Sequence, residues 1–244
     1  MKRVIFLFLS VLVVVSCAPK HENPSSDSTQ VCQIAVAPEK DASDFVNITD
    51  VVPDAILEIR YYSTYNFVGD RIDGYEAPAA LLTKEAAAAL KKVSDELKLQ
   101  GYQLKIFDAY RPQTAVNHFI RWAKVVDDVR MKQYFYPQVD KSRLFELGFI
   151  CSKSSHSRGS TVDLTLFDMK SGKEVDMGCP FDWFGKESYP DYDRLSSEQI
   201  RGRQILRDAM LNAGFNPLET EWWHFTLANE PYPDTYFDFP VSQL

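Results

Sequence analysis

Two short stretches hold most of the side chains able to do chemistry. Ser154–Asp163 reads SSHSRGSTVD, and Glu221-Trp222-Trp223-His224 lies near the C-terminus. Together they offer two of the chain's four histidines, His156 and His224, and two carboxylates, Asp163 and Glu221. A catalytic zinc takes three N/O protein ligands and keeps a fourth position for water. The reading is therefore one Zn2+ per chain held by His156, Asp163 and His224, with Glu221 as general base. Taken alone, the first stretch can equally be a hydrogen-bonded histidine and a turn aspartate. The second cluster decides, because each histidine then has an acid close by.

These groups need elements to position them. His156 and Asp163 are seven apart, which matches no helical ligand pair but suits a loop running into a strand. In Ser160–Phe167 the residues Val162, Leu164 and Leu166 alternate with Thr161, Asp163 and Thr165. Period two predicts a strand with the first set in a core and the second on the other face. Gly159 lets the loop turn tightly before it. Trp222–Leu227 reads as a second strand. Glu221 and His224 are three apart, so a regular strand would put them on opposite faces. Glu221 is therefore expected just before the strand, or at a bulge.

The spacing Ser154-x-His156-x6-Asp163 with Glu221-x-x-His224 resembles the zinc D,D-peptidase superfamily, and the finer pattern is similar to its D-alanyl-D-alanine dipeptidases. The matching pieces are Asp108-Ala109-Tyr110-Arg111-Pro112, Ser152–Leu166, Phe181-Asp182, the Glu221–His224 cluster, Glu230-Pro231-Tyr232-Pro233 and Tyr236-Phe237-Asp238-Phe239-Pro240. The resemblance covers roughly Asp50 to Leu244. It implies an α+β fold, a central antiparallel sheet flanked by helices with zinc on one sheet face. It implies hydrolysis of D-Ala-D-Ala to two D-Ala, with Arg111 stabilising the oxyanion and Ser154 orienting the site. It further implies that Asp182 and Tyr61 grip the substrate's ammonium end. The residues themselves leave Tyr61 open to core packing, Arg111 to a salt bridge with Asp108, and Asp182 to solvation in its loop. A D,D-carboxypeptidase trimming peptidoglycan stems shares the metal motif. A noncatalytic zinc module is disfavoured by the presence of both Glu221 and Arg111.

The 244 residues, 45% hydrophobic and 13% aromatic, suffice for one globular domain with a sizeable core. Lys2 and Arg3 precede the apolar run Val4–Val15, so residues 1–16 read as a signal segment. Val14-Val15-Ser16-Cys17 resembles a bacterial lipobox, which makes Cys17 a lipidation site. Residues 17–44, rich in Pro, Ser, Asp and Lys, read as a tether, and 45–244 as the domain. The expected address is the cell envelope, membrane-anchored and facing the periplasm. Removing the leader's two basic residues from 27 leaves 25 against 34 acids, so nothing invites nucleic acid. Cys32, Cys151 and Cys179 are an odd set. One bridge, with Cys151–Cys179 the better pair, and buried thiols are equally open.

The remaining elements follow from pattern. Thr83–Leu99 predicts a helix with Thr83 as cap and Leu90, Val93 and Leu97 on its apolar stripe. Gln103–Phe107 predicts a strand, and Pro112 opens a helix to about Val126. Ser171-Gly172 predicts a hairpin turn. Ser197–Ala213 predicts the last long helix, ended by Gly214.

Overall fold

The strand that carries Asp163, β5 (Thr161–Asp168), lies in the middle of the main sheet. A computed structural model describes residues 42–242. The expected signal segment, Cys17, Cys32 and most of the expected tether lie outside the described residues. In chain order the elements are β1 (Phe45–Asn47), α1 (Ile48–Val51), β2 (Ile56–Leu57), β3 (Leu81–Thr83), α2 (Lys84–Leu99), β4 (Tyr102–Asp108), α3 (Gln113–Lys124), α4 (Lys132–Phe135), β5, β6 (Lys173–Glu174), α5 (Ser197–Asn212), β7 (Phe215–Leu218) and β8 (Glu221–Leu227). The main sheet runs β2-β4-β5-β8-β7, with β6 paired to β5. All its pairings are antiparallel except the short β2–β4 edge, which is parallel. β1 and β3 form a separate antiparallel pair. This is the expected α+β architecture with one parallel edge added.

The helices form where the patterns place them. Thr83 caps α2 by accepting from the Ala86 amide at 3.4 Å, and Leu90, Val93 and Leu97 are buried. Ser196 and Gln199 make a reciprocal capping box on α5. α3 ends at Lys124, two residues short of the expected end, and Pro112 is the residue before its first turn. β5 follows the sequence reading, and both of its faces are covered. Thr161, Asp163 and Thr165 are as buried as Val162, Leu164 and Leu166. Helices α2 and α5 pack together and on the sheet, and the polar face of β5 is covered too, by the elements that build the site. The hairpin turn is present, with β5 returning into β6 through Gly172 at φ +67°. No bond joins Cys151, which is exposed, to Cys179, which is half-buried. The sequence had favoured that pair because both flank the site, and nearness along the chain does not supply disulfide geometry.

Candidate metal centre and active site

Asp163 and His224 are direct neighbours on adjacent strands, paired in register across β5 and β8. His156 arrives from the 3-10 turn Ser155–Arg158, which Ser154 caps by accepting from the His156 amide at 3.3 Å. Gly159 ends that turn at φ +82°, and a Cβ there would sit 2.3 Å from the Phe45 ring. Only glycine fits, and the chain can then bend directly into β5. The result is a triangle. His156 Nε2 lies 3.2 Å from His224 Nδ1 and 3.1 Å from Asp163 Oδ2, and His224 Nδ1 lies 3.1 Å from Asp163 Oδ1.

This triangle fits a metal ion. Ligands about 2.0–2.2 Å from a tetrahedral zinc stand roughly 3.3–3.6 Å from one another, close to the three edges found here. The donor set of two imidazoles and one carboxylate is a zinc-type set. His156 Nδ1 bonds the Ala109 carbonyl at 2.7 Å, so its proton belongs there and the Nε2 lone pair faces the triangle. His224 Nε2 bonds Ser155 Oγ at 3.2 Å, which turns Nδ1 inward. Asp163 Oδ1 is buried without a hydrogen-bond partner. Two inward lone pairs and an orphaned carboxylate oxygen are what a cation would satisfy. Burial works to raise the Asp163 carboxyl, but His156 and His224 outweigh it and hold it below the usual carboxylate range. Burial lowers His156, whereas the adjacent Asp163 carboxylate overcomes burial and raises His224.

Glu221 opens β8, and there the pairing with β7 slips. Pro217 faces Phe225 while the next residue, Leu218, faces Glu221. This irregularity is the expected bulge, and it brings Glu221 Oε2 to 3.5 Å from His224 Nδ1. Burial pushes the Glu221 carboxyl above its ordinary value, the charge of His224 opposes, and that of Asp163 adds.

Arg111 stands between β4 and α3. Its Nε and Nη2 each reach Asp108 Oδ2 at 2.9 Å, and Nη2 lies 3.5 Å from Asp163 Oδ2. The guanidinium lies over the Tyr61 ring at 4.9 Å. The sequence offered a salt bridge or a cation beside the metal ligands, and the fold provides both. Tyr75 donates to the other oxygen of Asp108 at 2.6 Å.

Asp182 is 7% exposed and occupies the left-handed region at φ +61°. Tyr61, 1% exposed, donates its hydroxyl to Asp182, 2.9 Å from Oδ2 and 3.2 Å from Oδ1. Burial pushes the Asp182 carboxyl well up, and the charge of Asp163 adds to it. A non-glycine residue at positive φ persists only where its surroundings hold it. One cleft is lined by Tyr61, Arg111, Ser154, His156, Asp163, Asp182, Glu221 and His224, with Phe67, Phe119, Phe149 and Phe184 as an apolar wall. All the site residues read from the sequence within the described chain therefore meet in one place. Ser155, Tyr75 and the Ala109 carbonyl were missed, whereas Asp108 was read as a partner of Arg111. Each of the three missed groups acts through a partner distant in sequence, whereas Asp108 stands only three residues before Arg111.

With this geometry in view, the comparisons with known proteins are decisive. A family model described as D-ala-D-ala dipeptidase (peptidase M15) matches residues 41–242. This chain belongs to that family. It is 39% identical to a D-alanyl-D-alanine dipeptidase of Enterococcus faecium over 198 residues, 81% of this chain and 98% of the relative. A protein of the same description from Streptomyces coelicolor is 37% identical over 82% of this chain and 98% of its own length. One from Escherichia coli is 34% identical over 77% of this chain and 86% of its own length. The family consists of metallopeptidases, which accords with the triangle of His156, Asp163 and His224.

Proposed function

We propose that the chain hydrolyses the free dipeptide D-Ala-D-Ala to two D-Ala, with one zinc ion held by His156, Asp163 and His224. The observation that carries this reading is the buried Asp182 carboxylate, fixed by Tyr61 in the cleft that also holds the triad and Glu221. A buried carboxylate there suits a substrate's free ammonium group. The relatives described as D-alanyl-D-alanine dipeptidases support the same substrate.

Zinc, when bound, would acidify a water and polarise the scissile carbonyl. Glu221, close to His224, takes a proton from the attacking water and returns it to the leaving amine. Arg111 is held by Asp108 and offers fixed positive charge to the developing oxyanion. Ser154 caps the turn that presents His156 and so orients the site. Asp182 with Tyr61 pairs with the ammonium end. A carboxypeptidase acting on stem peptides would need that end open for an acylated chain, and the enclosed Asp182–Tyr61 pair disfavours it.

The test compares D-Ala-D-Ala with its N-acetyl form. An acetylated substrate leaves Asp182 unpaired, which costs about 1–3 kcal/mol or more. Wild type should prefer the free dipeptide by at least about tenfold, and Asp182→Asn should shrink that preference. Equal turnover of both substrates would replace the dipeptidase by the carboxypeptidase.

The same reading places the domain on a membrane facing the periplasm through lipid on Cys17, supported by the lipobox-like Val14–Cys17. Cys17→Ser should move the protein from the membrane to the soluble fraction. A mature N-terminus at another, unmodified residue would end this part of the proposal.

A further inference from the structure

Arg203, on α5, is 5% exposed, and the three oxygens it bonds are all backbone carbonyls. Nε donates to Met177, Nη1 to Tyr189 and Nη2 to Glu187, each at 2.7 Å. Nη2 also reaches Cys179 Sγ at 3.8 Å, and the guanidinium lies 5.8 Å from the Trp222 ring centre. Burying a guanidinium against neutral acceptors is costly unless it performs a task that a smaller or uncharged side chain cannot. The three carbonyls show what the task is. Met177 precedes Asp182 in the chain, and Glu187 and Tyr189 follow it. One planar fork thus gathers both legs of the loop whose tip carries Asp182.

The helix is shaped for this contact. Gly202, next to Arg203 in the interior of α5, costs about 1 kcal/mol of helix propensity relative to alanine. A Cβ there would lie 2.8 Å from Val175 Cγ1 and 3.3 Å from Met177 Sδ. Its absence lets α5 close on the first leg. At the tip, Phe181 stacks on Phe107 with ring centres 4.8 Å apart, and Phe184 donates its amide to Phe135 at 2.8 Å. Asp182 between them keeps its left-handed backbone, so its carboxylate position depends on how tightly the legs are tied.

We propose that Arg203 is a positioning residue for substrate selection: by clamping both legs of the 177–189 loop to α5, it fixes the Asp182 carboxylate in the cleft and so sets the preference for a free α-amine. This rests on the ammonium-site reading of Asp182. Arg203 touches none of the metal ligands, and every oxygen it bonds belongs to the loop. Lysine cannot replace it, because a point charge cannot reach three carbonyls as a planar fork does.

The experiment is a double-mutant cycle with zinc-loaded enzyme, measuring kcat/KM on D-Ala-D-Ala and on its N-acetyl form. Arg203→Lys should lower the first by ten- to a hundredfold, since displacing a positioned group by about 1 Å can cost 10²-fold. The acetylated peptide should change by no more than about threefold. In the Asp182→Asn background, Arg203→Lys should have no further effect on the preference. Gly202→Ala retains the Arg203 side chain but pushes α5 off the loop, and it should shift the preference in the same direction. It carries the test if Arg203→Lys does not fold. Equal losses on both substrates, an intact preference, or additive effects in the double variant would overturn the proposal. If Asp182→Asn alone leaves the wild-type preference intact, the ammonium reading fails instead. Amide exchange across residues 177–189 then judges the clamp by itself: Arg203→Lys should accelerate exchange there and not in β5 or β8, and unchanged protection would refute it.

Discussion

His156 shows how a single hydrogen bond prepares a site. Its Nδ1 proton is committed to the Ala109 carbonyl, so Nε2 is left as a lone pair toward Asp163 and His224. Burial holds the ring toward its neutral form, which is the ligating form. Glu221 differs in kind. It stands 3.5 Å from His224, and a third of its side chain is open to solvent, so it can exchange protons with substrate and water. The two roles predict opposite outcomes for their substitutions. Glu221→Gln should keep a full complement of zinc and lose roughly 10²–10⁴-fold in kcat. His156→Ala should lose the metal itself, as metal analysis of the purified variant would show. A Glu221→Gln enzyme within a few-fold of wild type would remove Glu221 from the chemistry. The sequence disclosed these residues because ligand types recur at spacings that a loop and two strands can satisfy. It could not disclose Ser155 or the Ala109 carbonyl, because the first looks like any loop serine and the second is backbone common to every residue.

Elements decide whether those side chains meet. The strongest signals, α2 and α5, were legible from the Thr83 cap, the Leu90–Leu97 stripe and the closing Gly214, and the structure places both as scaffold rather than site. The two-residue β2 and three-residue β1 are too short to carry a period. In β5 the alternation sorted the two faces, and the polar one is as buried as the apolar one because a polar site has been built on it. The joint between the Ser155–Arg158 turn and β5 is the narrowest point of the design. Gly159 has φ +82° and meets Phe45 where a Cβ would go. Left-handed backbone costs a non-glycine residue about 1–2 kcal/mol, and overpacking adds typically 1–3 kcal/mol. Gly159→Ala should therefore destabilise the protein by about 2–5 kcal/mol in chemical denaturation, and it should also weaken zinc retention, since His156 hangs from the same turn. A variant with wild-type stability would show that Phe45 yields freely and that the joint is not tight.

At the scale of the whole molecule, the aromatic content noted in the sequence becomes a dry shell around a polar centre. Tyr61, Tyr75, Tyr110 and Tyr136 are all at most 2% exposed. Of the four only Tyr61 was open to core packing in the sequence, because tyrosines outside regular elements have no periodicity to read. Their ionisation gives a test of the fold as a unit. Burial raises all four phenols, helped by the charge of Asp182 at Tyr61, of Asp108 at Tyr75 and of Asp238 at Tyr110. Tyr136 is pushed up to about 12. The unfolded chain ionises its tyrosines near pH 10. Between those values the folded state holds more protons than the unfolded one, so stability falls as pH rises. These groups therefore contribute fully below about pH 10 and progressively less above it. Lys141 acts in the opposite sense. Burial lowers its ammonium to about 8, so it favours the fold as pH rises from there, but its window closes near the ordinary lysine value of about 10.4. Four phenols titrating above that point outweigh it. The urea midpoint should accordingly be lower at about pH 11.5 than at about pH 9.5. Tyrosinate absorbance from the four buried phenols should rise only as the chain unfolds. A midpoint that holds steady, or absorbance complete before unfolding begins, would show that the four tyrosines are open to water and that the shell is not dry.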